Sequence, residues 1–228
     1  MKVAAIIPAA GQGVRMKSPV PKQFLNLGGK PILRLTLEAL AGSGIVTDLV
    51  LVVPPGELEA VRREWEKSSL VSRVVAGGEK RQDSVYNGFR SLSPGTEIVI
   101  VHDGVRPFIT GEMIHASVEA AVNTGAAIVA TPVSDTVKRV NGQGIIEQTV
   151  EREGLWRVQT PQVFRYDILK RAFEKAYSES FYGTDEGSLV ERLGEKVQIV
   201  PGSEFNIKIT RREDLFLGES ILRFYQGS

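Results

Sequence analysis

Lys2-Val-Ala-Ala-Ile-Ile-Pro-Ala-Ala-Gly-Gln-Gly-Val-Arg-Met-Lys-Ser-Pro-Val-Pro-Lys-Gln23 is the stretch from which the fold is read. It starts as a short apolar run with β-branched side chains. It then passes, without apolar periodicity, into small residues, two glycines, an arginine and lysines. That pattern is a buried strand feeding a basic, glycine-rich loop. Gly11 and Gly13 allow backbone conformations closed to other residues, and their missing side chains let successive N–H groups face a bound anion. Arg15 and Lys22 add the full positive charges that backbone amides lack. A polyphosphate is the ligand expected of such a loop.

Two better-known phosphate loops do not fit. The dinucleotide fingerprint requires a third glycine where this chain has Met16, and the ATPase loop requires Gly-Lys-Ser/Thr, which is absent from the sequence. Glycines in a strand-to-helix turn need no ligand, so the pair alone decides little. The whole run Pro8-Ala9-Ala10-Gly11-x-Gly13-x-Arg15-Met16, followed by Pro21-Lys22-Gln23, is far more specific. It resembles the signature of nucleotidyltransferases that activate sugar or polyol phosphates with a nucleoside triphosphate.

Outward from that loop, composition sets limits. The 228 residues suit one large α/β domain with room for a substantial core, and leave no space for a second catalytic domain. Lys and Arg total 28 against 27 Asp and Glu, whereas nucleic acid draws a strongly basic face, so no nucleic-acid partner is expected. There is no cysteine, which removes disulfides and thiolate catalysis. The sequence enters a strand at once, without a signal-peptide pattern, and no apolar run approaches a membrane-spanning length. A soluble, cytoplasmic protein without a membrane partner is the expectation.

Periodicity places alternating strands and helices along the chain. Residues 24–27 form a short apolar segment, Gly28-Gly29 a turn, and Pro31 opens a helix whose apolar face is Ile32, Leu33, Leu35, Leu37 and Leu40, ended by Gly42-Ser43-Gly44. Strands are expected at 48–53, 73–76, 98–101 and 127–131, and helices at 57–67, up to about 91, and at 112–124. The charge run in the 57–67 helix reads as a solvated face, and its Trp65 as core. Such alternation gives a Rossmann-like, mostly parallel sheet with helices on both faces. Ligands in these sheets bind at the strands' carboxyl ends, where the loops around Gly11, Gly77-Gly78 and His102-Asp103 fall. The rhythm then breaks. Residues 136–140 and 145–150 are strand-like around Asn141-Gly142-Gln143-Gly144, a protruding β-hairpin that cannot bury itself well. After 156–159 and Pro161-Gln162, helices are expected near 166–180 and 185–193, strands at 197–200 and 207–210, and a last helix over 212–225.

The motifs as a set carry a closer resemblance. Gly11-x-Gly13-x-Arg15-Met16, Pro21-Lys22-Gln23, Gly77-Gly78 with Asp83-Ser84, His102-Asp103 with Arg106-Pro107, Asp135-Thr136 with Lys138-Arg139, Gly154-Leu155-Trp156 with Thr160-Pro161-Gln162, and Asn206-Ile207-Lys208 occur in that order over nearly the whole chain. In this the chain resembles the 2-C-methyl-D-erythritol 4-phosphate cytidylyltransferases of non-mevalonate isoprenoid synthesis. One departure is that Gly104-Val105 stands where the family often reads Ala-Ala. The resemblance implies cytidylyl transfer from CTP to a polyol phosphate with release of pyrophosphate. Bringing a phosphate dianion to a triphosphate requires cations that offset repulsion and then stabilise the charge spreading in line. The resemblance puts Arg15 and Lys22 on the triphosphate, with Arg152 and Lys208 positioning the attacking phosphate. It implies a nucleotide site of Pro8, Ala9, Ala10, Gly11, Gln12, Gly13, Gly78, Glu79 and Ser84, where fixed acceptors can tell cytosine's amine from uracil's carbonyl. Asp103, Arg106, Thr136 and Thr160 are matched to the polyol phosphate, and Asp103 also to Mg²⁺, which often needs only one or two protein carboxylates beside substrate phosphates. It further implies a homodimer in which the arm at about 135–152 completes the neighbouring active site.

Blander readings stand beside these. Glu79 reads equally as a solvated turn residue and Thr184-Asp185 as a helix cap, while His102 reads as a hydrogen-bonding strand end and His115 as structural. Ribitol-5-phosphate cytidylyltransferases share much of the pattern and are the rival within the class. A nucleotide-sensing module that has lost turnover is the rival outside it; its sign would be loss of Arg15, Lys22 or Asp103, and all three are present.

Overall fold

A computed structural model describes residues 1–11, 21–65, 68 and 70–227. In chain order the elements are β1 (Val3–Pro8), a 3₁₀ turn (Lys22–Phe24), β2 (Asn26–Leu27), β3 (Lys30–Pro31), α1 (Ile32–Gly42), β4 (Asp48–Val53), a second 3₁₀ turn (Pro55–Glu57) and α2 (Leu58–Trp65). They continue with β5 (Arg73–Ala76), α3 (Arg81–Arg90), β6 (Ile98–Val101), α4 (Gly111–Thr124), β7 (Ala126–Pro132), β8 (Val137–Val140) and β9 (Ile146–Val150). The chain closes with β10 (Trp156–Arg165), α5 (Tyr166–Ser178), α6 (Glu186–Leu193), β11 (Gln198–Pro201) and α7 (Arg212–Gln226). The central sheet runs β11-β7-β10-β6-β1-β4-β5. All neighbours are parallel except β10, which is antiparallel to both β6 and β7.

The strands are apolar on both faces because helices cover both. Val3, Ala5 and Ile7 of β1, with Leu49, Leu51 and Val53 of β4 and Ile98 and Ile100 of β6, pack against α1, α2 and α4. The alternate residues Ile6, Val50, Val52, Val99 and Val101 pack against α3, α5 and α6. Period-two alternation thus sends each strand's side chains into two cores, as doubly covered parallel strands require. A third cluster of Leu27, Ile32, Val105, Phe108, Ile209 and Ile221 seats α7 beside the loop that follows β6. Trp65 is buried in the first core, as its helical position predicts.

The sequence pattern misses one strand and misplaces another. One strand has no counterpart in the expectations: β10, over Trp156–Arg165, lies in the middle of the sheet. Pro161 within it cannot donate to a ladder. The sheet accommodates it through a register shift between Val158 and Gln162, and the Thr160 carbonyl accepts from Asn206 Nδ2 at 2.9 Å. The strand expected at 207–210 is instead irregular chain, fixed by Ile209 N donating to the Val105 carbonyl at 2.9 Å and by Asp214 accepting from Thr210 N. The apolar run there is the third core's, not a sheet's. The hairpin forms as expected from β8 and β9, turned by Asn141, whose Oδ1 accepts from both Gln143 N and Ile145 N at 3.0 Å.

The contact of α3 with β1 is close enough to test. A Cβ on Gly88 would lie 2.6 Å from Ile6 Cγ2 and 3.0 Å from Val52 Cγ2, both fully buried. Alanine gains about 1 kcal/mol of helix propensity over glycine, but overpacking a full core costs about 1–3 kcal/mol. Gly88→Ala is expected to lower stability in urea denaturation; a neutral or stabilised variant would mean that α3 can lift off the sheet freely.

Candidate active site

The chain builds β1, β4 and β5 outward in one direction and then returns with β6 to the other side of β1. At this reversal the loops on either side diverge and leave a crevice at the carboxyl ends of the strands. A cavity of about 230 Å³ lies there, lined by Ala9, Ala10 and Gly11 after β1, by Gly78 to Arg81 after β5, by Asp103 and Val105 after β6, and by Lys22 and Lys208. A second opening of about 270 Å³ adjoins it, bounded by Arg106, Gln159, Thr160, Thr184 and Asp185 among others.

Backbone and small side chains form the first cavity because larger ones do not fit. A Cβ on Gly77 would approach Ala10 Cβ to 2.5 Å, and one on Gly78 would approach Asp83 Cβ to 2.4 Å. Ser84 Oγ accepts from Gly78 N and donates to the Lys80 carbonyl, each at 3.1 Å, so this hydroxyl holds the turn into α3. Gln23, buried, donates from Nε2 to the Ala9 carbonyl at 2.8 Å. That bond pins the far end of the first loop to the end of β1 and sets Lys22 at the cavity.

The electrostatic centre is Asp103. Its Oδ2 accepts from Lys208 Nζ at 2.8 Å and faces Arg106 Nε at 3.5 Å, while Oδ1 faces Arg81 Nη2 at 3.7 Å. Burial alone would raise the carboxyl's pKa, but Lys208, Arg81 and Arg106 together hold it well below the usual carboxylate range. It is therefore ionised at every working pH. Burial works the other way on Arg106 and lowers it, with Asp103 opposing.

Asp103 is fixed by the residue before it. His102 is fully buried; Nε2 lies 3.0 Å from the Arg106 carbonyl and Nδ1 3.1 Å from Thr160 Oγ1. A carbonyl can only accept, so Nε2 carries the proton, and the Thr160 hydroxyl donates to the bare Nδ1. Thr160 Oγ1 in turn accepts from Asp103 N at 3.1 Å. Burial lowers the imidazole pKa to about 4, with the bond to the Arg106 carbonyl opposing, so it is neutral. On the other side Arg106 Nη1 donates to the Asn206 carbonyl at 2.7 Å, which ties the Lys208 loop to the same turn.

Of the residues singled out in the sequence, Pro8, Ala9, Ala10, Gly11, Lys22, Gly78, Glu79, Ser84, Asp103 and Lys208 come together around the first cavity. Arg106 and Thr160 border the second opening beside Asp103 and Lys208. Gln12, Gly13 and Arg15 lie outside the described residues. Thr136 and Arg152 border neither opening of their own chain: both are exposed at the base of the hairpin, where Arg152 Nη1 donates to the Ser134 carbonyl. Asp185 caps α6, accepting from Ser188 N at 2.9 Å, and His115 contacts only the Ser43 carbonyl among the described hydrogen bonds. Sequence reasoning assigned no role to Arg81 and did not single out its partner Glu186, whose two oxygens lie 2.8 and 2.9 Å from Arg81 Nη1. Nothing in the local pattern marks Glu186, since the pairing spans 105 residues.

Among the described residues no group of three or more His, Cys, Asp or Glu could hold a metal ion. A bare protein cage for a cation is therefore lacking in the described part. Asp103 fits the other mode, a mostly hydrated Mg²⁺ held by one carboxylate and by phosphate oxygens. It is ionised, and among the described residues the cation facing its Oδ1 is Arg81, at 3.7 Å and beyond hydrogen-bonding distance.

A glycine-walled recess beside fixed cations, at the reversal of a doubly covered sheet, is the arrangement of an α/β nucleotidyltransferase. The chain matches the family described as 2-C-methyl-D-erythritol 4-phosphate cytidylyltransferase over residues 3–224, and it belongs to that family. It is 45% identical over 229 residues to the enzyme of that name from Syntrophus aciditrophicus, covering 99% of this chain and 98% of the relative. It is 47% identical to the one from Pelotomaculum thermopropionicum, covering 99% and 96%. Among solved structures, 2-C-methyl-D-erythritol 4-phosphate cytidylyltransferase from Thermus thermophilus superposes with a TM-score of 0.83 at 33% identity, covering 98% of this chain and 100% of that one. The 4-diphosphocytidyl-2C-methyl-D-erythritol synthase from Anaerococcus prevotii gives 0.85 at 32% identity, covering 97% and 98%.

The neutral, buried imidazole has a thermodynamic consequence. Its folded pKa of about 4 lies below the ordinary 6.5, so its contribution to stability is complete above about pH 6.5 and is lost as pH falls towards 4. By pH 5 the loss is about 2 kcal/mol. In urea denaturation at pH 7 and pH 5, His102→Asn is expected to lose about 2 kcal/mol less than the parent over that interval. Parallel losses would show that the ring is protonated or solvated in the folded state.

Proposed function

We infer that this chain transfers a cytidylyl group from CTP to 2-C-methyl-D-erythritol 4-phosphate, giving 4-diphosphocytidyl-2-C-methyl-D-erythritol and pyrophosphate. The observation that carries this reading is the family match across residues 3–224 of a chain whose recess at the strands' carboxyl ends opens beside the Asp103–Lys208 pair. The relatives reported above carry the methylerythritol name, so the ribitol phosphate alternative is not favoured. Retention of Lys22 and Asp103 at the cavity also disfavours a non-catalytic nucleotide sensor.

In the reaction an oxygen of the polyol phosphate attacks the α-phosphorus of CTP and a new P–O bond forms. The bond from that phosphorus to the bridging oxygen breaks, and pyrophosphate leaves with the electron pair. The nucleophile is already an anion, so no base has to take a proton. Lys22, with Arg15 on the same loop, binds the triphosphate and stabilises the charge that grows on pyrophosphate. The backbone around Ala9, Ala10 and Gly78 receives the cytidine. Lys208 and Arg106 draw the attacking phosphate to the second opening, and Asp103 keeps both cations aimed. Mg²⁺, held through Asp103, supplies further neutralisation of phosphate charge when bound.

The chain works as a single nucleotidyltransferase domain in a cytoplasmic homodimer, with the arm at 135–152 crossing to the neighbour. Val140, Ile145 and Ile146 on that hairpin are each more than half exposed, at 51%, 60% and 59%, and an isolated two-stranded hairpin is marginal in water. Thr136 and Arg152 then serve the neighbouring active site, which accounts for their distance from their own. No helix among the described residues is long and apolar enough to cross a membrane.

Pyrophosphate release from CTP with each polyol phosphate tests the reading: methylerythritol phosphate should be the better substrate, and faster turnover of ribitol phosphate would defeat it. Lys22→Ala is expected to lower kcat by about 10²–10³-fold with much smaller changes in KM. A variant near full turnover would remove Lys22 from the mechanism.

The shared site has its own test. Inactive Lys22→Ala and Arg152→Ala homodimers are unfolded together and reassembled. If Arg152 acts in trans, each mixed dimer holds one intact site, and random pairing returns about a quarter of wild-type activity. No recovery, with mixed dimers confirmed by mass spectrometry, would place Arg152 in cis.

A further inference from the structure

Three side chains, Arg81, Asp103 and Lys208, border both the nucleotide cavity and the second opening. If the nucleotide fills one and the polyol phosphate the other, the phosphorus that is exchanged between them lies against this shared wall. Asp103 and Lys208 already have roles there; Arg81 does not. Its guanidinium is held unevenly. Nη1 takes both oxygens of Glu186, at 2.8 and 2.9 Å, and Glu186 is only 1% exposed, at the start of α6. Nη2 turns the other way, 3.7 Å from Asp103 Oδ1 and outside hydrogen-bonding distance. Arginine–carboxylate pairs frequently set two nitrogens against two oxygens. Here one nitrogen takes both oxygens, and the second faces the wall where the two openings meet. The side chain is one-third exposed, so the buried half anchors and the open half can be reached.

We propose that Arg81 is a catalytic residue that donates from Nη2 to a non-bridging oxygen of the α-phosphoryl group during transfer, and that Glu186 is the positioning residue that holds it there. This rests on the reading of the chain as a CTP-dependent cytidylyltransferase. A donor fixed before the reaction stabilises the charge that spreads over the equatorial oxygens without reorganising at that moment. Burying the Glu186 carboxylate for stability alone would be a poor exchange, because a buried ion pair seldom outperforms apolar packing. Lysine keeps the charge but cannot hold Glu186 and a phosphate oxygen with two separate nitrogens of one rigid plane.

The test uses the full-length protein with Arg81→Lys and Glu186→Gln, assayed with CTP and with the two diastereomers of its α-thio analogue. Arg81→Lys is expected to lower kcat about 10²-fold while KM for either substrate moves by less than about threefold. The rate ratio between the α-thio diastereomers should also change by about fivefold or more, because only one places sulfur at the oxygen Arg81 contacts. Glu186→Gln should move kcat and the ratio in the same direction, and the double variant should be no slower than Arg81→Lys, since both act through one contact. A folded Arg81→Lys with a lowered Tm but an unchanged kcat and thio ratio would reduce the pair to a structural one and overturn the proposal. A raised KM for CTP with kcat intact would do the same. If Glu186→Gln does not fold, Arg81→Lys decides alone. An unmutated protein inactive on the substrate pair would instead defeat the functional reading, and the proposal with it.

Discussion

One ionised carboxylate, Asp103 at the end of β6, gathers the site. Lys208 reaches it from the chain after β11, Arg106 from its own turn and Arg81 from the start of α3. Two of these cations are tied to something else as well: Arg106 to the Asn206 carbonyl and Arg81 to Glu186 on α6. Asp103 therefore links the ends of β6 and α3 with the Lys208 loop, and Glu186 carries the link on to α6. Such a cluster contributes little net stability, because desolvation offsets most of the attraction. Its value lies in position: with the carboxylate removed, three cations would face one another, and only Arg81 would keep a carboxylate partner, Glu186.

The neutral His102 complements that charge. A protonated ring beside Arg106 and Lys208 would add a fourth cation and would turn Nδ1 from acceptor to donor, leaving the Thr160 hydroxyl to reorient. Burial keeps the ring neutral. The resulting chain, Asp103 N–H to Thr160, Thr160 to His102 and His102 to the Arg106 carbonyl, fixes both ends of the 103–106 turn. The same hydroxyl was matched in the sequence to substrate contact, and its local hydrogen bonds show that it also shapes the loop.

Most of the fold was legible because period-two and period-3.6 patterns are local. The strands expected at 48–53, 73–76 and 98–101 coincide with β4, β5 and β6. What failed depended on distant partners. Pro161 sits inside a central strand where the register shifts between Val158 and Gln162, and the 207–210 run is apolar for α7's sake rather than a sheet's. In the site, motifs identified the loops that converge, including Lys22 and Lys208. They gave no geometry: Gln23 appeared in a motif without a role, and its bond to the Ala9 carbonyl emerges only when the loop closes. Arg81 lay in plain sight, but its distinction is the carboxylate 105 residues away.

Charge limits what the described residues can offer their substrates. Among the described residues the two openings are bordered by five basic side chains, Lys22, Lys80, Arg81, Arg106 and Lys208, and three acidic ones, Glu79, Asp103 and Asp185, a surplus of two. A phosphate monoester alone carries about that much negative charge at neutral pH. A nucleoside triphosphate brought beside it goes well beyond what this surplus can offset. Packing more cations into the same crevice would raise their mutual repulsion in the absence of substrate and would need further buried carboxylates like Glu186 to hold them. Cations that arrive with the substrates or from a neighbouring chain avoid that cost, since they are brought together only when the phosphates are present. On the proposed reading, a divalent ion carried by the triphosphate and Arg152 on an arm from a second subunit would meet this requirement, whereas a rigid, fully assembled cationic pocket in one chain would not.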